Sequence, residues 1–273
     1  ALLKWILREE SFVAAGGESL TGHMTASFRK ASASYLEDLN AGRLEPRLIS
    51  GEQSNTSISY GNRLVLKLIR RVENGTNLDV EVTRFLTDEA HFKHSAQLVG
   101  SLELDCEGKA PVALASVSQF IENDGDAWIA IYSKTASGEA LPVLEAARLL
   151  GKRTFEMHQA LASWQGENAP ERLTLAGQSE LGTRLKRHAH EVFSEIRRVW
   201  DTFPMSLRSD LNVLLDNQES LLKRFDSLGT TDLGASISRT HGDYHMGQVL
   251  HSGRDFVILD FEGEPARSLE ERS

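Results

Sequence analysis

The stretch that indicates how this chain folds is Arg239-Thr-His-Gly-Asp-Tyr-His-Met-Gly-Gln248, followed by Leu259-Asp260-Phe261-Glu262. The residues between these two runs read as two short strands paired across Ser252-Gly-Arg-Asp255, a pattern typical of a β-hairpin. Such a hairpin returns the second run towards the first. The sequence therefore predicts that the carboxylates of Asp243 and Asp260 lie at one site, together with a side-chain amide.

This group of side chains suits phosphoryl transfer from a nucleotide. We expect Gln248 and Asp260 to present oxygen atoms to Mg²⁺, because this ion takes oxygen ligands and bridges nucleotide phosphates. Asp243 is expected to orient or deprotonate the hydroxyl that attacks the γ phosphate. It need not be a strong base, since the proton leaves late in a loose transition state and positioning supplies most of the acceleration.

Three aromatic side chains of the first run are weaker candidates for the chemistry. We expect His241 to anchor the loop through a backbone hydrogen bond, and we place this role ahead of a catalytic one. His245 and Tyr244 either line the acceptor pocket or pack against their neighbours. Taken singly, each acid of the two runs would more often be an N-cap or a solvated turn residue, so the prediction depends on the joint pattern.

The composition describes a globular protein that acts on a small substrate. The 273 residues carry 30 Lys plus Arg against 39 Asp plus Glu, a net charge of −9. This charge argues against nucleic acid or an anionic membrane as a partner. The single cysteine, Cys106, excludes an intrachain disulfide and favours a reducing, cytoplasmic location. No apolar run has the length of a membrane span, so no membrane partner is expected.

The hydrophobic period changes along the chain and predicts an α+β fold. A period of two predicts five strands of an antiparallel sheet, at residues 47–51, 56–60, 63–69, 98–104 and 111–121. One helix is predicted within this region, at 78–91, and another before it, at 24–39. Beyond residue 123 the chain is mainly helical. Leu144, Phe155 and Leu161 belong to a repeat that indicates a buried helix face, and long helices are predicted at 185–203 and 207–228.

The first predicted turn of the sheet is rich in small polar residues. Gln53, Ser54, Asn55 and Thr56 lie at or beside its tip, where backbone N–H groups and hydroxyls suit phosphate oxygens. A plain hairpin loop is the simpler interpretation of these four residues alone.

Lys67 interrupts an otherwise apolar strand, where a cation needs a partner. Such a lysine usually extends towards water. Glu81 provides an alternative, because it lies on the same side of the predicted helix as Leu78 and Phe85. We therefore expect a Lys67–Glu81 ion pair, the arrangement that holds the α and β phosphates in protein-kinase-like folds. Gln119, Phe120 and Ile121 end the last strand, where backbone groups are expected to bind the adenine edge.

With these residues together, the sequence resembles the aminoglycoside-phosphotransferase-like kinases, and within them the bacterial maltokinases. The resemblance is carried by residues 53–57, 77–81, 241–248 and 260–267, and it covers the chain from about residue 48 to its end. It implies a bilobal protein-kinase-like fold and ATP-dependent phosphorylation of maltose to maltose 1-phosphate, with trehalose synthase as a fused or associated partner. By position it assigns Lys67 and Glu81 to the ATP phosphates, Asp243 to catalysis, Gln248 and Asp260 to Mg²⁺, and Glu262 to the neighbourhood of the metal or the sugar.

The resemblance also predicts a domain organisation. Residues 1–45 are expected to be the remnant of an N-terminal cap or linker, 46–122 an N-lobe with a nucleotide-binding sheet, and 123–273 a helical C-lobe that is truncated at its C-terminus. Two alternative functions remain open. One is a kinase for another sugar or aminosugar, such as glucosamine or an aminoglycoside, and the other is a noncatalytic nucleotide-binding module.

Overall fold

The computed structural model describes residues 1–49, 55–73, 75–106, 108–136 and 140–264. The chain divides into two compact units. The first consists of Ala1–Asn168 together with the described residues from Arg239 onward, and the second is Ala169–Ser238. The predicted domain boundaries at 45/46 and 122/123 stay predictions. Among the described residues, no helix combines the length and the apolar character that a membrane span requires.

A seven-stranded antiparallel sheet forms one part of the first unit. Its strands are, in chain order, β1 Ser11–Val13, β2 Ser19–Met24, β3 Pro46–Ile49, β4 Asn55–Tyr60, β5 Leu64–Ile69, β6 Leu98–Asp105 and β7 Val112–Gln119. Their spatial order is β1-β2-β6-β7-β5-β4-β3, and every neighbouring pair is antiparallel. The five strands predicted between residues 47 and 121 are confirmed as β3 to β7.

Residues 1–45 contribute more to the sheet than the sequence indicated. They form the helices α1 Leu2–Leu7, α2 Ala26–Arg29 and α3 Ser32–Asn40, and they add β1 and β2 to one edge of the sheet. The single helix predicted over 24–39 is thus two shorter helices. Gly22 explains part of the omission, because a Cβ at this position would lie 2.6 Å from the carbonyl oxygen of Trp5. Close packing of α1 on β2 requires glycine here, and glycine weakens the strand pattern.

Helices cover the sheet from both faces. On one face, side chains of α1 and α3 pack with strand residues into a core that includes Ile6, Tyr35, Leu66 and Val117. Helix α4, Leu78–Asp88, contributes Val80 to a separate cluster with Leu98 and Ala113. The side chain of Asn77 caps α4 by accepting a 3.1 Å hydrogen bond from the N–H of Val80.

The helical part of the first unit includes α5 Ala127–Ala136 and α6 Ala140–Leu161. The predicted buried face of α6 is wrong for Leu144 and Phe155, which are 65% and 61% exposed, whereas Leu161 is buried as predicted. Met157 is buried beside Leu161, together with partly buried Leu150. Helix α6 carries two apolar stripes, each with spacings of three and four residues, and this period alone does not select the stripe that packs.

The second unit consists of helices and one short strand pair. Its strands are β8 Glu171–Arg172 and β9 Ser236–Ile237, and its helices are α7 Leu175–Arg198, α8 Met205–Asp216 and α9 Gln218–Asp226. The helix predicted over 207–228 is therefore divided near Asn217, which is the C-cap of α8 and the N-cap of α9.

The predicted hairpin is confirmed as β10 Val249–Ser252 and β11 Asp255–Ile258. Gly253, with φ 62°, lies in the turn between them, where the left-handed conformation favours glycine. Val249, Phe256 and Ile258 pack beneath α4, α5 and α6 in the second core of this unit. The hairpin is thus supported by buried side chains, while the residues at its open end form the site.

Candidate active site

A cleft of about 550 Å³ lies between the sheet with α4 on one side and the β10–β11 hairpin on the other. Lys67, Asp79, Gln248 and Asp260 line it, and so does the segment 119–121. In the β5–β7 register, Lys67 lies opposite Ser116 and Leu64 opposite Gln119. Three residues of a strand span about 10 Å, so Lys67 and the start of the segment 119–121 are separated by roughly this distance.

Lys67 is the centre of the charged cluster. Its Nζ lies 2.7 Å from Oε1 of Glu262, 3.0 Å from Oδ1 of Asp260 and 3.5 Å from Oδ2 of Asp79. Burial alone would lower the pKa of Lys67, but the three carboxylates outweigh burial and raise this pKa well above its usual value. The lysine is therefore a permanent cation, and the three acids around it exceed its charge.

The surroundings of Glu262 disfavour its charged form, in contrast to those of Lys67. Burial raises the pKa of its carboxyl, the nearby Asp79 and Asp260 raise it further, and Lys67 opposes them. Oε1 of Glu262 also accepts a 2.8 Å hydrogen bond from Nδ2 of Asn55. Glu262 thus lies within the charged cluster rather than at its margin.

The predicted ion pair between Lys67 and Glu81 is wrong. Asp79, in the first turn of α4, is the helix residue that faces Lys67, while Glu81 pairs with Arg239 through a 3.1 Å contact to Nη2. An α-helix turns about 100° per residue, so Asp79 and Glu81 project about 160° apart, on nearly opposite sides of the helix, and do not face the same cation. Oδ1 of Asp79 also accepts a 3.0 Å hydrogen bond from the N–H of Phe261. The α4 carboxylate thus binds both the lysine and the segment after the hairpin.

The hairpin brings Gln248 and Asp260 together, as predicted. The N–H of Leu259 donates to the carbonyl of Gln248 at 2.8 Å, and Nε2 of Gln248 donates to Oδ2 of Asp260 at 3.1 Å. Asp260 has φ 63°, a left-handed conformation that aspartate tolerates better than most residues. This turn directs its carboxylate towards Lys67. Such backbone strain is concentrated at functional sites.

His241 has the predicted structural role. It is 1% exposed, its Nε2 lies 2.7 Å from the carbonyl oxygen of Leu259, and its ring lies 4.7 Å from that of Phe261. Burial lowers the pKa of the imidazole, and a neutral ring whose Nε2–H donates to this carbonyl fits the geometry. The histidine thus ties the 241–243 loop to the end of the hairpin.

A close contact between two glycines, Gly242 and Gly263, also joins the 241–243 loop to the segment that follows the hairpin. Gly242 has φ 84°, and a Cβ at this position would lie 2.8 Å from Cα of Gly263. Asp243 follows directly, and its side chain is 36% exposed. Nε2 of His245 lies 4.0 Å from Oδ2 of Asp243, while Nδ1 of His245 accepts from the N–H of Gly247 at 3.1 Å. Asp243 therefore combines a fixed backbone with an accessible carboxylate.

Tyr244 packs rather than lining an open pocket. Its hydroxyl forms a 2.8 Å hydrogen bond with Oγ1 of Thr154 on α6, and burial raises its pKa. Arg153, the preceding residue of α6, holds Asp255 through two hydrogen bonds of 2.7 and 2.6 Å. Helix α6 therefore anchors both the loop after Asp243 and the start of β11.

The remaining predicted nucleotide residues are partly described. Gln53 and Ser54 lie outside the described residues, whereas Asn55 contacts Glu262 and Thr56 pairs with Leu68 in the sheet. The N–H of Gln119 donates to the carbonyl of Gln97, and that of Phe120 to the carbonyl of Arg63, both at 2.9 Å. Nδ2 of Asn123 donates to the carbonyl of Ile121 at 2.8 Å, so two N–H groups and one carbonyl of this segment are bonded within the protein.

Three carboxylates of the cluster form a set that fits a metal ion. Oxygen atoms of Asp79, Asp260 and Glu262 all lie within 4.8 Å of one another, and the amide of Gln248 adjoins Asp260. Hard oxygen ligands of this kind suit Mg²⁺ when phosphate oxygens complete its coordination. The sequence did not lead us to assign Asp79 to the site, although its place in the first turn of α4, after the Asn77 cap, could be recognised from the sequence.

Comparisons of the sequence with known proteins find similarity to glucosamine kinases. No family model matches the chain. It is 27% identical over 231 residues to a glucosamine kinase from Streptacidiphilus jiangxiensis, covering 81% of this chain and 49% of that protein. It is 25% identical over 232 residues to a glucosamine kinase from Mycolicibacterium smegmatis, covering 83% of this chain and 54% of that protein. The chain thus spans about half the length of the curated relatives it matches.

The solved structure of a glucosamine kinase in complex with glucosamine, ADP and inorganic phosphate matches with a TM-score of 0.65. This match has 20% sequence identity and covers 95% of the chain and 65% of that structure. A second crystal form of a glucosamine kinase gives a TM-score of 0.64 at 21% identity. The predicted α+β, kinase-like fold is confirmed.

Proposed function

We propose that this chain carries the nucleotide site and the catalytic loop of an ATP-dependent sugar kinase whose acceptor is glucosamine. The observation that carries the proposal is the buried Lys67, held by Asp79, Asp260 and Glu262 at a cleft that extends to residues 119–121. A permanent cation beside excess carboxylates suits nucleotide phosphates together with a divalent cation. The glucosamine kinases with the same fold favour an aminosugar as the acceptor.

The residues have distinct tasks in this proposal. Lys67 binds phosphate oxygens of ATP, and Asp79 holds the lysine in place. Asp260 and Gln248 would hold Mg²⁺, with Glu262 beside them, and a bound ion would supply positive charge to the phosphates. The backbone of residues 119–121 binds the adenine edge, and residues 53–56 are assigned to the phosphates.

Asp243 orients the acceptor hydroxyl towards the γ phosphorus and accepts its proton late in the transfer. A new P–O bond forms to the sugar oxygen as the bond to the β–γ bridging oxygen breaks, which releases ADP. His241 and the Gly242–Gly263 contact keep the Asp243 backbone fixed against the end of the hairpin. Positioning of this kind accounts for most of the rate in phosphoryl transfer.

An acceptor screen tests the proposal. ADP release is measured with ATP, Mg²⁺ and either glucosamine, maltose, glucose or trehalose, and we expect glucosamine to give the highest kcat/KM. Asp243→Asn is expected to lower kcat by about 10²- to 10⁴-fold and to leave ATP affinity unchanged, because it removes a proton acceptor and no phosphate contact. Turnover of maltose in place of glucosamine would instead support the sequence resemblance.

Maltose is the second candidate because residues 261–267 resemble the maltokinases, although 265–267 lie outside the described residues. The names of the relatives do not point to maltose or to trehalose synthase, so both remain expectations from the sequence. Magnesium-dependent ATP binding without turnover of any acceptor would identify a noncatalytic nucleotide-binding module.

A further inference from the structure

Glu81, Asn168 and Arg239 form a closed hydrogen-bonded group outside the nucleotide cleft, which we call the Arg239 cluster. Nη2 of Arg239 donates to Oε2 of Glu81 at 3.1 Å and to Oδ1 of Asn168 at 3.0 Å. Nδ2 of Asn168 donates to Oε1 of Glu81 at 3.1 Å. Each of the three side chains thus contacts the other two, and the group joins α4 to the residue that begins the Asp243 loop.

The Arg239 cluster is largely buried. The side chains of Arg239 and Glu81 are 11% and 22% exposed. The guanidinium lies 6.0 Å from the ring centroid of Trp164, whose ring stacks on Phe85 of α4 at 4.1 Å. Nη1 of Arg239 is buried and has no partner among the described residues. A buried ion pair gives little net stability over apolar side chains of similar size, so stability alone does not explain this one.

The position of the cluster relates it to the site. Glu81 follows Asp79 by two residues on α4, and the two carboxylates project about 160° apart. On one side of the helix, Asp79 holds Lys67 and the N–H of Phe261. On the other side, Glu81 holds Arg239, four residues before Asp243. Helix α4 therefore connects the lysine of the cleft to the start of the catalytic loop through two separate contacts.

We propose that the Arg239 cluster is a positioning device that fixes the loop carrying Asp243 relative to Lys67 through α4. This inference rests on the proposed function for its kinetic consequences, but its structural part does not. Two chain segments that must be aligned for in-line transfer are both attached to one rigid helix. Loss of the Glu81 charge releases Arg239, and with it the Asp243 loop, while Asp79 continues to hold Lys67.

Glu81→Gln in the full chain tests the positioning role, with Glu89→Gln as the matched control. Glu89 lies at the C-cap of the same helix and is exposed, so its replacement removes the same charge without touching the cluster. In hydrogen–deuterium exchange, we expect faster exchange of the amides of residues 240–248 in Glu81→Gln and no change in Glu89→Gln. Unchanged protection of this loop in Glu81→Gln would overturn the inference whether or not the protein is a kinase.

Steady-state kinetics is measured on the same two variants, Glu81→Gln and Glu89→Gln. With glucosamine as acceptor, kcat of Glu81→Gln is expected to fall by about 10- to 100-fold, the effect of misplacing a catalytic group by about 1 Å. KM for ATP is expected to change less than about twofold, because Lys67 keeps its partners. Faster loop exchange in a protein that phosphorylates no acceptor would refute the proposed function and leave the positioning role standing.

A double variant separates positioning from stability. Glu81→Leu with Arg239→Met removes both buried charges, and such replacements retain or raise stability. We expect a melting temperature at least equal to that of Glu81→Gln, with kcat still reduced and loop exchange still fast. Recovery of kcat and of loop protection together with stability would show that the cluster is only structural, and would overturn the proposal.

Discussion

Gly242→Ala tests the close contact between the Asp243 loop and the segment after the hairpin. The added Cβ would lie 2.8 Å from Cα of Gly263, whereas carbon atoms in contact are about 3.5–4.0 Å apart. The two segments must therefore separate by about 1 Å. Gly242 also has φ 84°, where an L-residue adds about 1–2 kcal/mol of strain. With about 1–3 kcal/mol for overpacking, the expected loss of stability is about 2–5 kcal/mol.

Gly253→Ala is the matched control, because it separates backbone strain from the contact. Gly253 also has positive φ, 62°, but a Cβ there meets no described atom within 4 Å. We expect Gly253→Ala to lose only the strain part, about 1–2 kcal/mol, with kcat unchanged. Gly242→Ala is expected to lose more stability and, through a displacement of about 1 Å between Asp243 and Asp260, about 100-fold in kcat.

The assays for this pair are denaturant unfolding and steady-state turnover of ATP with glucosamine. Both variants are measured at one temperature where each is folded, so that loss of kcat does not reflect unfolding. Equal stability losses in the two variants, with kcat retained in Gly242→Ala, would refute the reasoning. Such a result would mean that the loop relaxes around the methyl group without moving Asp243.

Two further predictions concern charged groups. Asp79→Asn is expected to weaken ATP binding about tenfold or more, because Lys67 loses one of its anchors, whereas Glu81→Gln is expected to leave the affinity for ATP unchanged. Calorimetry measures both affinities. Equal weakening in the two variants would contradict the assignment of Asp79 as the partner of Lys67. Asp255→Asn is expected to lower stability by about 1–2 kcal/mol at pH 7. The hydrogen bonds from Arg153 lower the pKa of Asp255, so its contribution is present above about pH 4 and is lost as the pH falls through the lowered folded-state value. The melting temperatures of the Asp255→Asn and wild-type proteins should converge in acid, and a constant difference would argue against this pair as the cause.

The parts of the fold that depend on local pattern were predictable. The alternation around Ser252-Gly-Arg-Asp255 predicted the hairpin and hence the meeting of Gln248 with Asp260. An isolated lysine in an apolar strand predicted that Lys67 needs a carboxylate partner. His241 was expected to bind a backbone group, and it contacts the carbonyl of Leu259.

The identity of long-range partners was not predictable from pattern. Helical periodicity gives the angle between Asp79 and Glu81, but the rotation of α4 about its axis is set by Val80 against the sheet and by Phe85 in the second core. The wrong carboxylate was therefore assigned to Lys67. Arg239 lies 158 residues from Glu81 in sequence, and no local signal connects them. In the same way, β1 and β2 are recognisable only through their pairing with β6 and with each other.

The chain leaves the first unit at Asn168 and returns to it at Arg239, and the hydrogen bond between these two side chains closes the junction. Within the second unit, β8 pairs with β9, so residues 171–172 and 236–237, near the two ends of this unit in the sequence, lie side by side. Because each doubling of a closed loop costs only about 0.6 kcal/mol in closure entropy, the length of the chain between Asn168 and Arg239 has little effect on the stability of the first unit. We therefore expect the first unit to keep its fold when residues 169–238 are replaced by another segment, provided that Asn168 and Arg239 remain hydrogen-bonded.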